Sequence, residues 1–200
     1  MTTSASTPRI RLTQIVFLLV VLLVAATGGR AFDGAAGMAA QAAGFVLVTV
    51  GTLYRIWCSV FIAGRKDVEI VRDGPYARCR HPLYLGSLVA VTGLALSTRS
   101  LVLTLVLPAV LAWLLAVSIR REERYLADRH GAAWADYASR VPAFWPRRRG
   151  KRTAGRREID VALYRKAFLD ATSLFGLWLL VVVADALRMQ GVWPQAFRLP

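Results

Sequence analysis

The sequence predicts an all-α membrane protein: about five transmembrane helices with a helical cap on the cytoplasmic side. Three observations carry that expectation. The chain has 200 residues, 56% of them hydrophobic, and a mean hydropathy of +0.46 despite 26 Lys and Arg. Its apolar residues come in blocks rather than in the single stripe of a soluble helix; residues 17–26 contain no polar position. Its positive charges fall on one side of the resulting ladder of spans.

The blocks follow in order. The first, residues 10–27, stands behind Arg9 and Arg11 and is marginal in length for a span. The same run also fits a signal peptide, with Val24-Ala25-Ala26 as a small-residue cleavage pattern. Either way the second block, residues 38–64, crosses from outside to inside. The third, residues 83–98, is short before Arg99 and predicts a helical hairpin with the fourth, residues 101–119. Beyond it, residues 120–126 continue as a polar, strongly helix-forming stretch. Gly131 predicts a stop. Residues 132–140 read as a second short helix, with Trp134 and Tyr137 on one side, ended by Val141-Pro142. The loop from Tyr76 to Tyr84 and the helix carrying Glu122 form the cap. A basic run over 147–157 leads to the last block, residues 168–187. The organisation is therefore an N-terminal transmembrane helix and outer loop (1–37), a membrane core (38–146), a basic cytoplasmic linker (147–167) and a C-terminal transmembrane helix and tail (168–200).

Charge orients the ladder. Arg9, Arg11, Arg65, Lys66, Arg72, Arg78, Arg80 and the basic residues from Arg120 to Lys166 lie inside. Arg30, Arg99, Arg188 and Arg198 lie outside, and Arg55 sits within the second span. The net charge of +14 thus describes topology first. Because the basic residues hug the membrane ends, anionic lipid at the basic linker is the expected partner, and nucleic acid is not. Cys58 and Cys79 cannot make a disulfide framework and suggest a reducing compartment. With His81 and His130 they form no transition-metal constellation, so no metal is expected.

The densest polar segment is residues 73–86. Asp73-Gly74-Pro75 is a turn signal. Pro82 biases His81 away from helix and suits the first turn of the third span. A bent loop carrying Tyr76, Arg80 and His81 is thereby brought to a helix N-terminus, where free N–H groups favour a carboxylate. An ordinary interfacial belt explains the same residues. Glu122 and Glu123 are equally double-edged: a solvated ion-pair network, or carboxylates that meet a cationic ligand group. Loop and acids together would suit a zwitterion. Arg55 has no counter-charge nearby in sequence, and a mid-membrane Arg costs about 2.5–3.5 kcal/mol. It is read as inward-facing and substrate-binding, with Asp170 or Asp185 as partners and Asp170 at the better depth.

The combination of Gly74-Pro75-Tyr76, Arg80-His81-Pro82, Tyr84, Gly86, Glu122-Glu123, Leu126, Gly131, Trp134, Tyr137 and Val141-Pro142 resembles the isoprenylcysteine carboxyl methyltransferase family, whose core the phospholipid N-methyltransferases share. Arg55-Ile56-Trp57 and Gly64 are similar to the second-helix pattern of bacterial members. The resemblance spans residues 45–146. It implies a multi-pass membrane methyltransferase that uses S-adenosylmethionine, with its active site on the cytoplasmic side, a lipid or lipidated acceptor, and a cap that closes on the cofactor. Carried over residue by residue, it implies cofactor contacts at Val71, Tyr76, His81, Pro82, Leu83 and Tyr84, with Glu122 toward the cationic part and Glu123 beside it. No Gly-x-Gly-x-x-Gly follows a strand here. Departures bear on the acceptor: Val68 stands where eukaryotic members have a His, and Ser118 where they carry an Arg assigned to substrate. Trp134 replaces a more usual Tyr, and His130 an aromatic residue.

Two other readings stay open at this point. Sterol-reductase C-terminal regions resemble the same core and use a nicotinamide cofactor. A non-enzymatic membrane protein tethering lipid through its basic linker would also fit the composition.

Overall fold

The structure, a computed structural model, describes residues 27–29, 31–65, 69–147, 159–192 and 197–199. Five α-helices make up most of it: α1 (Gly34–Ile62), α2 (Pro82–Ser97), α3 (Leu101–His130), α4 (Ala132–Arg140) and α5 (Val161–Met189). A 3₁₀ turn over Gly74–Ala77 precedes α2. Two three-residue strands, β1 (Thr27–Gly29) and β2 (Phe197–Leu199), pair in parallel. Three helices, α1, α3 and α5, are long and apolar enough to cross a membrane, and α2 is apolar but shorter. The second to fifth expected spans therefore coincide with α1, α2, α3 and α5. Of the first block only Thr27 is described, and the basic run is described only at Arg147.

Local chemistry sets the helix ends. Pro82 opens α2, where its missing N–H costs nothing. Ser100 Oγ accepts from Leu103 N at 3.3 Å to start α3, and Asp160 Oδ1 accepts from the N–H groups of Ala162 and Leu163 at 3.0 Å to start α5. Gly131, at φ 50, turns the chain between α3 and α4 in a conformation that penalises a side chain.

The bundle is organised by the antiparallel seam between α1 and α2. A Cβ on Gly44 would stand 2.6 Å from Gly93 O, and one on Gly93 would stand 2.5 Å from Gly44 O. Further along the seam, a Cβ on Gly51 would stand 2.6 Å from Gly86 O, and one on Gly86 3.0 Å from Gly51 O. Two reciprocal glycine pairs thus let the backbones touch. In lipid, where burying apolar surface gives helices little reason to associate, such close backbone packing supplies the attraction. By contrast α3 turns Leu105, Val110 and Trp113 outward, as a lipid-facing helix does.

α5 packs against the far end of this seam. Phe45 of α1 lies 4.7 Å from Trp178, centroid to centroid, and Trp178 Nε1 donates to Ser97 Oγ at 3.0 Å. The hairpin turn between α2 and α3 is buried beneath α1 and α5. There Arg99, with a left-handed φ of 59, pairs with Asp185 at 3.3 Å, and Gln41 donates to the same carboxylate oxygen at 2.7 Å. Asp185, considered from the sequence as a partner for Arg55, is therefore engaged by Arg99 and Gln41 instead. A turn at a membrane boundary is ordinarily exposed; this one is covered because the fifth span ends on top of it.

Valine at position 93 would force α1 and α2 apart against backbone atoms. Gly93→Val is expected to destabilise the detergent-solubilised protein by about 3 kcal/mol or more, beyond ordinary overpacking because no side chain can yield. Gly176→Ala, on α5 with nothing within 4 Å of an added Cβ, should be neutral to stabilising by up to about 1 kcal/mol. Thermal unfolding of both variants in one detergent checks the pair.

Candidate active site

The polar cluster forms at the N-terminal end of α2, opposite the Arg99 clamp. His81 caps α2 in a non-helical conformation. The preceding loop is held by the segment that follows α4. Arg80 N donates to Pro142 O at 2.9 Å, His81 N to Ala143 O at 3.2 Å, and Arg147 N to Arg78 O at 3.0 Å. The Cys79 thiol faces the carbonyls of Ala143 and Phe144 at 3.3 and 3.1 Å, and burial pushes its pKa up, so it stays a thiol. α4 adds a second set of ties. Arg80 donates to Ala138 O at 2.8 Å and lies over Trp134; Arg72 donates to Ala133 O at 2.7 Å and lies over Tyr137. The Tyr137 hydroxyl donates to Tyr76 O at 2.8 Å.

Onto this loop α3 brings the two acids. Tyr84 OH donates to Glu122 Oε2 at 2.9 Å, and His81 Nδ1 lies 3.6 Å from the same oxygen. His81 Nε2 lies 3.0 Å from Glu123 Oε1, which also receives Arg80 at 3.0 Å. Because a carboxylate only accepts, Nε2 is the protonated nitrogen. The His81 ring is 5% exposed and stacks on Tyr84 at 5.6 Å and 11°. So the histidine and the paired acids, some forty positions apart, do face each other across one site.

Beside them lie two adjoining hollows. One is lined by Val71, Tyr76, His81, Glu122, Trp134 and Tyr137, among others. The second is lined by Tyr76, His81, Pro82, Leu83, Tyr84 and Glu122, with Ile62 and Arg80. Tyr76 is shared and decisive. Its side chain is 5% exposed, yet among the described residues its hydroxyl has no hydrogen-bond partner. Burial, then the neighbouring Cys58 and Glu122, pushes its phenol far above the usual range, which keeps it a neutral donor. Several buried polar atoms are unmet among the described residues, and Tyr76 is the one whose side chain lines both hollows, which makes its hydroxyl a candidate ligand contact.

Of the residues expected from sequence, Val71, Tyr76, His81, Pro82, Leu83, Tyr84 and Glu122 line the hollows, and Glu123 is held at the rim by His81 and Arg80. Arg55 is elsewhere: it donates to Ser87 Oγ between α1 and α2. The expectation missed the depth of involvement of Arg72, Arg80, Trp134 and Tyr137. The i, i+3 aromatic pair on α4 and the arginines flanking the turn were the available signal. Among the described residues no group of three or more His, Cys, Asp or Glu is placed to hold a metal ion.

The model of the isoprenylcysteine carboxyl methyltransferase family matches residues 35–128. The chain is 33% identical over 186 residues to the nickel-cobalt-cadmium resistance protein NccN of Alcaligenes xylosoxydans xylosoxydans, covering 92% of this chain and 87% of that protein. It is 36% identical over 149 residues to the cobalt-zinc-cadmium resistance protein CzcN of Cupriavidus metallidurans, covering 74% and 68%. It is 35% identical over 81 residues to the protein-S-isoprenylcysteine O-methyltransferase of Schizosaccharomyces pombe, covering 40% and 34%. No solved structure matches the chain.

Tyr137→Phe removes the donor to Tyr76 O and leaves that buried carbonyl without it. A loss of about 1–3 kcal/mol in stability is expected. It should appear as a lowered melting temperature in detergent, with faster proteolysis at residues 72–81 than in the wild-type protein.

Proposed function

Because the chain belongs to the isoprenylcysteine carboxyl methyltransferase family, we propose that it moves a methyl group from S-adenosylmethionine to a lipid-borne or membrane-embedded acceptor, a carboxylate or an amine. The observation that carries this reading is the unmet Tyr76 hydroxyl beside the His81–Glu122–Glu123 cluster. The donor set fits the cofactor: carboxylates for its sulfonium and amino group, and a phenol plus the start of α2 for its polar oxygens. Bound there, it would supply a sulfonium-activated methyl group, to which an acceptor lone pair bonds as the carbon–sulfur bond breaks and its electrons return to sulfur.

The chain's own residues bind, orient and exclude water. Glu122, held by Tyr84 and His81, presents a fixed carboxylate to a cation. Arg80 and His81 hold Glu123. Ile62, Val71 and Leu83 line the hollows with apolar surface, where electrostatic contacts gain strength and an aligned acceptor reacts faster. The positive-inside pattern supports an active site opening to the cytoplasm. The resistance names of two relatives describe their setting; we propose methylation of a membrane component and no metal as substrate.

Two variants test this in membranes incubated with labelled S-adenosylmethionine. Glu122→Gln should abolish binding of the label, and unchanged binding would remove Glu122 from the site. Tyr76→Phe removes a buried donor that the protein itself leaves unmet. It should therefore keep or raise thermal stability while weakening cofactor binding about 2- to 12-fold. Stabilisation by NADPH, with none by S-adenosylmethionine, would replace this reading with the reductase one.

A further inference from the structure

Arg55 is a charged group within a membrane-spanning helix that the proposed chemistry leaves unused. It sits on α1, about 10 Å inside the helix end at Ile62 at roughly 1.5 Å per residue. A guanidinium at such depth in a membrane is costly, and residues of this kind mark ligand or ion paths when they lack a structural partner. Among the described residues Arg55 makes no ion pair. One terminal nitrogen donates to Ser87 Oγ, and its Nε is buried without a hydrogen-bond partner among the described residues. Asp170 of α5 is near enough for its charge to act on Arg55, yet no hydrogen bond or ion pair joins them.

The placement of the side chain is specific. A Cβ on Gly86 would stand 2.9 Å from Arg55 Cγ and 3.2 Å from Tyr54 Cδ1, so the stem crosses α2 where no side chain stands. The head then reaches Ser87, whose hydroxyl also donates to Leu83 O at 2.9 Å. Leu83 and Tyr84 line the candidate cofactor pocket. The guanidinium therefore contacts α2 one turn, about 5.4 Å, deeper in the bundle than that pocket's wall. A cation without an ionic partner among the described residues, held on α2 one turn behind the cofactor pocket, matches the anionic group of a membrane amphiphile.

We propose that Arg55 holds an anionic group of the acceptor, a carboxylate or a phosphate, and so selects which membrane amphiphiles are methylated. This rests on the methyltransferase reading above. A guanidinium suits the task because its planar fork of N–H donors matches either oxyanion. If the anion is the carboxylate itself, it is the methyl acceptor. If it is a phosphate, it anchors a phospholipid whose neighbouring amine reacts and gives up a proton.

The test uses the full chain in nanodiscs of host-membrane lipid with methyl-tritiated S-adenosylmethionine. Lipid-soluble label is measured against lipid mole fraction, and cofactor binding is measured separately. Arg55→Gln should raise the KM for lipid about tenfold or more, with the cofactor Kd within about twofold of wild type. Arg55→Lys, which keeps a cation, should recover part of the loss, and Asp170→Asn should leave the lipid KM unchanged. Label released as methanol by mild alkali identifies a carboxylate; alkali-stable label on a phospholipid identifies the phosphate anchor. Wild-type KM in Arg55→Gln overturns the proposal. So does a matching loss of cofactor binding, or an equal loss in Asp170→Asn, either of which would make Arg55 structural. Wild-type protein that binds cofactor but yields no lipid-soluble label overturns this proposal alone; failure to bind the cofactor overturns the methyltransferase reading.

Discussion

The contact on which the rest of the molecule depends is the meeting of His81 with Glu122 and Glu123. It requires two helices to end in mismatched places. α2 must begin at His81-Pro82, while α3, returning from the hairpin turn, must continue past its apolar stretch until the two acids come level with that beginning. Pro82 supplies the first condition, since it can open a helix but blocks helical geometry before it. The helix-forming run from Arg120 to Leu126 supplies the second, since it carries α3 through to His130 without a break. With both in place, the acids find the histidine, Tyr84 and Arg80 within hydrogen-bond range. Move either helix end by one turn and the carboxylates face solvent.

That contact is held from behind by the glycine seam and from the side by α4. The seam fixes α2 against α1 with backbone in contact with backbone, which leaves little freedom in its tilt. α4 fixes the loop through Arg72, Arg80 and Tyr137, each of which donates to a main-chain carbonyl. Main-chain anchors hold position whatever the neighbouring side chains do. The loop that carries Tyr76 is thus rigid without needing a ligand, and its hydroxyl is left facing the hollows unmet.

Most of this was legible in the sequence because the signals were local. Gly131 with the aromatic pair at Trp134 and Tyr137 gave α4, and the hairpin broke at Arg99. The resemblance placed Tyr76, His81, Tyr84 and Glu122 around one site. What stayed hidden was long-range pairing. Nothing local says that Asp185 reaches Arg99 and Gln41, because these partners come from two helices and the hairpin turn and meet only after packing. The same holds for Arg55: its missing counter-charge was visible, but its engagement with Ser87 across Gly86 depends on the α1–α2 register. The glycines were visible too, yet their reciprocal pairing needs both helices in place.

The two ends of the bundle divide their labour in a way that follows from how each satisfies its charges. At the hairpin end, Arg99 and Asp185 are buried and Gln41 joins them, and removing one partner of such a pair is strongly destabilising, about 3–5 kcal/mol. That end resists rearrangement. At the other end, Glu122 and Glu123 are about one-quarter exposed and share their donors, with His81 facing both. A contact that is partly solvated and shared costs less to exchange, since water and a second partner remain for whichever group is released. A cationic ligand group could therefore take over one carboxylate while His81 and Arg80 keep the other. Between the two ends α3 is bound to the bundle mainly at its extremities, with its apolar middle turned outward. Rigidity at one end and exchangeable pairing at the other are what a protein needs if it is to admit a charged cofactor without loosening its membrane core.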